Sequence, residues 1–377
     1  MKPFYFILFI SIILSACENS NSEKIKITEY ENDISIFDAK LFKINQSIGY
    51  KILSIFDKKG KLKDTYYLIG RDELINDSIK DMNVIRTPVK NIVCLSTTHI
   101  AFVDMLDETD KITAISGSQY VYNKNLRTRI LNNEVKDVGY ENALDFELLL
   151  KLKPDVVTVY DINGTISPII NKIKKFNIPV IQINEYMESS LLSQAEWLKF
   201  FGELFNKRTI ANDKFKEVKQ NYSNLLKMTD TITDRPKILL NMPWKGTWYI
   251  PGGDSNIAQL IEDAGGDYIW KDLDERHNIP LNIEDVYLKA RNADIWLNTG
   301  QASSIDDIIN TDSRLKDFKP VKGGNIFNRI NKLSESGAND YMESGTVRPD
   351  LILKDMIKIL HPHLLPDHEF YFYKKLY

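Results

Sequence analysis

The sequence predicts an α/β protein of two lobes, each a parallel sheet covered by helices, joined by a long rigid α-helix and preceded by a small β-hairpin extension. Three observations predict it. Short β-branched runs at 92–96, 111–116, 155–160 and 179–184 alternate with helical patterns, and such runs are buried on both faces in a parallel sheet packed between helices. The same rhythm restarts at 237–242, 247–252, 267–270 and 294–298. Between the two series, apolar residues recur at 191, 195, 198 and 205 and then at 215, 218, 222 and 225, the period of a helix. Both lobes are therefore expected to be Rossmann-like.

In chain order, residues 1–16 read as an export signal: one positive charge at Lys2, an apolar run over 4–14, then Ser15 and Ala16. The run is too short to span about 30 Å of hydrocarbon as a helix. Leu14-Ser15-Ala16-Cys17 resembles the bacterial lipobox, in which cleavage before the cysteine leaves a thiol that carries lipid. Cys17 is therefore the expected lipidation site, and the protein is expected to be exported and held at the cell envelope, periplasmic or otherwise, with residues 17–27 as a polar tether. Residues 28–90 form a β-rich extension, read as an antiparallel hairpin unit punctuated at Asn45-Gln46 and at 57–60. The first lobe follows over 91–187, the helical segment with the linker over 188–229, and the second lobe over 230–377. The last helix should begin at Pro349, a first-turn proline, and stop near Leu360 before Pro362. The tail from Glu369 could add an edge strand.

Composition narrows function. With 377 residues, 49 Lys and Arg against 52 Asp and Glu, and a formal charge of −3, the chain has no basic cluster of the kind a nucleic-acid binder needs. If Cys17 carries lipid, only Cys94 remains of the 2 cysteines. The lobes must then be stabilised by an apolar core and not by a disulfide.

Open α/β sheets bind ligands at the carboxyl ends of their strands. Ser96, Thr97, Thr98 and His99 follow the first such strand, where hydroxyls either cap the next helix or touch a ligand. The other strand-end loops are rich in aromatics. Tyr120, Tyr122, Tyr160 and Trp244 offer flat apolar area with a polar edge, suited to a large planar or amphipathic ligand; Trp248 and Tyr249 read as strand residues facing the core. Arg348, at a helix start where the dipole disfavours a cation, needs an anionic neighbour, either a ligand or a protein carboxylate. Lys245 and Arg329 are similar candidates. A serine-hydrolase reading of Ser96, His99 and Asp104 lacks the nucleophile elbow. His361, His363 and His368 are spread by prolines along an extended tail, a poor frame for a metal. The Gly252-Gly253 and Gly265-Gly266 pairs lack a phosphate-cradling pattern.

The segments KNIVCLSTTHIAFVDMLDETDKITAIS (90–116), VGYENALDFELLLKLKPDVVTVY (138–160) and LNIEDVYLKARNADIWLNTG (281–300), in this order and spacing, resemble the periplasmic substrate-binding lipoproteins of metal-chelate ABC importers. The resemblance covers roughly 90–361; residues 28–90 are an addition that it does not explain. It implies capture of a ferric siderophore, heme or cobalamin, with the siderophore first, and delivery without catalysis. It also implies that Glu147 and Glu284, each at a helix start, pair with arginines of a two-fold permease dimer; by themselves they are first-turn carboxylates complementing a helix dipole. The expected protein is a monomer with no cofactor beyond its lipid, closing modestly over its ligand. Heme would want an axial Tyr120 or His99. The rivals are an enzyme or metallochaperone on the same scaffold, a zinc or manganese binder using His99 and His277, and an envelope adhesion protein.

Overall fold

The computed structural model describes residues 32–33, 35–140, 143–161, 164 and 166–377. The expected export signal, Cys17 and the tether lie outside them, as do Ile162 and Asn163 of the loop after Tyr160. Among the described residues no helix is long and apolar enough to cross a membrane.

The extension is larger than a hairpin. Strands β1 (Asn32–Asp33), β2 (Phe42–Ser47), β3 (Tyr50–Phe56), β4 (Leu62–Gly70) and β5 (Val84–Thr87) form one sheet in that order. It is antiparallel through β4, whereas β5 adds parallel to β4. Its buried face, including Phe42, Ile44, Leu53 and Tyr66, belongs to the same apolar core as the first lobe and the linker helices.

The first lobe holds β6 (Ile92–Cys94), β7 (Ile112–Ile115), β8 (Lys136–Asp137), β9 (Val156–Val159) and β10 (Val180–Gln182), with helices α1 (Thr97–Met105), α2 (Lys124–Leu131), α3 (Phe146–Leu152) and α4 (Ser167–Lys174) between them. All the strand pairs are parallel, in the order β10-β9-β6-β7-β8. The chain runs outward from β6 in one direction and from β9 in the other, so the gap between these two strands is the topological switch point.

The linker is a helical segment in three pieces: α5 (Leu191–Ala195), α6 (Leu198–Leu204) and α7 (Arg208–Thr229). The break after α6 falls at Asn206, whose φ of 56° is left-handed, a conformation that asparagine tolerates better than most residues. Only α7 is long. Its 22 residues span about 33 Å at 1.5 Å per residue, and its buried stripe of Ala211, Phe215, Val218, Tyr222 and Leu225 keeps the period read from the sequence.

In the second lobe β11 (Lys237–Leu240), β13 (Asp267–Tyr268), β15 (Ile295–Leu297), β16 (Ile326–Asn328) and β17 (Lys374–Lys375) make a sheet ordered β13-β11-β15-β16-β17, with β17 the antiparallel edge from the tail. Its switch point lies between β11 and β15. Strand β12 (Thr247–Pro251) does not join this sheet; it pairs with β14 (Asn278–Asn282) in a separate two-stranded ribbon. Helices α8 (Asn256–Asp263), α9 (Ile283–Ala290), α10 (Ile305–Thr311), α11 (Lys319–Lys322) and α12 (Pro349–Leu360) cover the lobe. Trp248 from the ribbon stacks at 5.5 Å on Trp296 of β15, and Phe318 packs on both.

Candidate functional site

The carboxyl ends of the two sheets face one another. Thr97 Oγ1, just beyond β6, donates to the Met342 carbonyl across the interlobe gap at 3.1 Å, and Ser336 Oγ donates to the Gln119 carbonyl. Glu343 reaches over from the second lobe and accepts the Tyr122 and Asn123 backbone N–H groups at 2.7 and 2.9 Å. Burial raises the Glu343 carboxyl to about 7, the two N–H donors opposing and Asp340 and Asp104 adding to the rise.

That shift has a consequence for stability. The folded-state value lies above the usual 4.5, so the contribution of Glu343 is fully present below pH 4.5 and is lost as pH rises through 7, a change of about 3 kcal/mol. Glu343→Gln is expected to flatten this part of the pH dependence, measured by urea unfolding at pH 5 and pH 8.

On the second lobe a cavity of about 630 Å³ opens at the switch point, lined by Asn241, Met242, Trp244, Lys245, Tyr249, Asn298 and Arg329 among others. Asn241 and Asn298 occupy equivalent places, one residue beyond β11 and β15, both left-handed with φ of 61°. Asn241 Nδ2 donates to the Tyr249 carbonyl, and Asn298 Oδ1 accepts from the buried Tyr373 hydroxyl. Trp244 and Thr247 exchange backbone hydrogen bonds around Lys245-Gly246, whose φ values of 50° and 82° are those of a tight turn with two left-handed residues. That turn leaves Trp244 62% exposed, with the Lys245 ammonium 4.5 Å from its ring centre. A further cavity of about 260 Å³, lined by Leu191 and Gln194 of the linker together with Asn241, Asn298, Arg329 and Tyr341, continues the site toward the linker.

The first lobe supplies the opposite wall. Leu95, Ser116, Tyr140, Leu144 and Tyr160 line a small hollow at its own switch point. Tyr120, 56% exposed, meets Tyr140 edge to face at 5.9 Å. Gly117 makes this packing possible: at φ 75° a Cβ there would lie 2.0 Å from the Tyr140 hydroxyl.

Several candidate residues prove to be framework. Ser96 caps α1, accepting from Thr98 N and bonding the Thr98 hydroxyl at 2.9 Å; Thr97 bridges the lobes. His99 is fully buried, its Nδ1 3.0 Å from the Thr158 hydroxyl and its Nε2 3.8 Å from Glu185. Burial lowers the imidazole to about 3 and raises the Glu185 carboxyl to about 7. His99 therefore sits in the core, beneath the cleft and not in it. Arg348 is held by Asp350 through two hydrogen bonds of 2.9 Å, the protein carboxylate its position called for. Tyr122 lines a separate polar interlobe cavity with Asp104, Asp340, Glu343 and Arg348. His277 meets Lys58, His361 the Gly265 carbonyl and His368 Asp355. Cys94 is buried, its thiol pushed up to about 12 by desolvation.

Trp244, Lys245 and Arg329 do line the large cavity, and Tyr160 lines the opposite hollow. Tyr249 is the reverse case. Read as core, it is 40% exposed and lines the site, while its neighbour Trp248 is buried. Asn241, Met242 and Asn298 escaped sequence reading. The signal for the two asparagines was available, an Asn directly after each buried strand run.

Glu147 and Glu284 are both exposed, each the second residue of its helix: α3, capped by Asp145, and α9, capped by Asn282. Glu284 Oε1 is 2.5 Å from Arg314 Nη1, and this guanidinium holds its carboxyl below the usual range.

Two facing α/β lobes, each with its switch point open to one cleft, and a helical linker define a two-lobed solute-binding protein. The chain belongs to the periplasmic binding protein family, whose model matches residues 92–329. Members of this family are the substrate-binding components of ABC importers. An uncharacterized lipoprotein of Methanocaldococcus jannaschii is 26% identical over 313 residues, covering 80% of this chain and 72% of its own. The high-affinity heme uptake system protein IsdE of Staphylococcus aureus is 26% identical over 240 residues, 61% of this chain and 76% of its own. Among solved structures, a periplasmic solute binding protein from Veillonella parvula shares the fold with a TM-score of 0.59 at 20% identity, covering 84% of this chain and 88% of that one.

Proposed function

We propose that this protein is anchored outside the membrane by lipid on Cys17 and captures a metal chelate, a ferric siderophore first, for delivery to an ABC importer. The observation that carries this reading is the cavity of about 630 Å³ at the second lobe's switch point, with Trp244 and Tyr249 exposed on its rim. It is large enough for a chelate and lined by aromatics that stack on flat ligands. Heme is the second reading, supported by exposed Tyr120 as an axial candidate and by the heme uptake relative. His99 is too deeply buried to serve, which also weakens a free-zinc site built on His99 and His277.

Fluorescence titration of the protein in detergent against ferric siderophores, heme, cobalamin and zinc tests this. Trp244 is the exposed reporter, since Trp197, Trp248, Trp270 and Trp296 are buried. Submicromolar saturation by one chelate is expected; tight binding of zinc alone would overturn the reading. Trp244→Ala should weaken the chelate on the order of 10-fold to 100-fold, followed by calorimetry.

Glu147 and Glu284 are proposed as the permease contacts, one at the tip of each lobe. The double change Glu147→Arg with Glu284→Arg is expected to lower uptake into cells at least about 10-fold, by like-charge repulsion, with chelate affinity of the purified protein unchanged. Normal uptake by that variant would remove both residues from the docking surface.

A further inference from the structure

We infer that the chelate is anionic and presents its acidic groups to the second lobe, a conclusion that rests on the chelate reading of the cleft. Two cations face the large cavity, Lys245 and Arg329. Neither has an ion pair among the described residues. Each lies instead against an aromatic ring: Lys245 over Trp244 at 4.5 Å, Arg329 over Tyr341 at 4.6 Å. Several other half-buried arginines have oxygen acceptors: Arg71 has Asp155, Arg208 has Glu203, Arg348 has Asp350, and Arg86 donates to the Gly70 and Glu73 carbonyls. Arg329 lies against a ring instead, and it borders both connected cavities of the site. A partly desolvated guanidinium without a counter-ion is unfavourable, and a ring face compensates only in part.

Asp307 is the carboxylate on the cavity lining, and it is committed elsewhere. It caps α10, accepting from Ser303 N, Ser303 Oγ and Ser304 N, and those bonds hold it below its ordinary range at a helix start that already favours a negative charge. Among the described residues, the hollow on the opposite wall is lined by tyrosines, Ser116 and aliphatic groups, with no charged side chain. The large cavity is thus cationic, while the hollow on the opposite lobe is aromatic and aliphatic. This suits a chelate with a flat apolar face and an acidic edge, such as a porphyrin with its carboxylates or a ferric tricatecholate, and disfavours neutral or cationic chelates.

Four probes test the charge directly on the protein in detergent: iron protoporphyrin IX, its dimethyl ester, an anionic ferric tricatecholate and cationic ferrioxamine B. One anionic probe is expected to bind at submicromolar concentration, and whether it is the porphyrin or the tricatecholate identifies the source of the acid groups. Its uncharged or cationic counterpart is expected to bind about 100-fold more weakly, and Lys245→Gln and Arg329→Gln should each cost the anion about 10-fold. Circular dichroism confirms that the variants fold. Equal binding of the ester or of ferrioxamine, or full affinity in both Gln variants, overturns the charge inference while leaving the chelate reading intact. No binding by any probe, or by cobalamin, overturns both.

Discussion

Asp355→Ala is expected to destabilise the protein by about 4 kcal/mol and to release its C-terminal tail. Asp355 lies on α12 and is fully buried. Its carboxylate accepts the backbone N–H groups of Tyr371, Phe372 and Tyr373 at 2.6 to 3.1 Å and meets His368 Nε2 at 2.7 Å. Alanine would leave three tail N–H groups without their acceptor, and an unsatisfied buried donor costs more than an ordinary hydrogen bond contributes. The same tail supplies β17 and Tyr373, whose hydroxyl holds Asn298 at the switch point. Urea unfolding should therefore show a lower midpoint, and chelate affinity should fall with it. An unchanged midpoint would mean that the tail is held mainly by its aromatic packing.

Glu196→Ala is expected to cost about 3 kcal/mol and to loosen the extension. Glu196 and Glu188, at the start of the linker segment, accept five consecutive backbone N–H groups: Phe37, Asp38 and Ala39 bond Glu196, while Lys40 and Leu41 bond Glu188. Burial would raise the Glu196 carboxyl, but Lys199 at 2.6 Å and the N–H donors outweigh it and hold the group below its usual range. Glu188 also accepts from Trp197 Nε1, and its carbonyl receives Arg276 of the second lobe. Extension, linker and second lobe therefore meet at this residue pair. Hydrogen exchange should show the amides of residues 37–41 opening in Glu196→Ala well before the sheet of the first lobe; protection equal to the parent protein would contradict this account.

The periodic elements were legible because their signal is local. Each of β6, β9, β11 and β15 appears as a nearly continuous apolar run, since a strand buried on both faces needs apolar residues at most positions, Thr158 of β9 being a buried polar one that bonds His99. Pro349 and Pro362 bracket α12 because a proline suits the first turn of a helix and cannot continue one. The linker was legible in period but not in continuity. Its break at Asn206 depends on a left-handed residue that periodicity does not reveal. The pairing of β12 with β14 was hidden because β12 could have joined the main sheet and β14, interrupted by Pro280, carries no strand signal of its own.

The site divides along the same line. The sequence by itself determined which residues could follow a strand, hence that Ser96, Tyr160 and Trp244 would lie at strand ends, because strand position depends on neighbours in the chain; that Arg329 follows a strand, β16, came from the structure. It also determined the doubled architecture and the matching helix starts that carry Glu147 and Glu284. Only the tertiary structure decided direction and partnership. It turned His99 inward onto Thr158 and Glu185, gave Arg348 to Asp350, left Arg329 against a ring, and placed Tyr249 on the rim while burying Trp248. The physical reason is that burial and charge pairing are set by groups distant in the chain, as in the contact between Thr97 and Met342, and no local pattern encodes which distant group arrives.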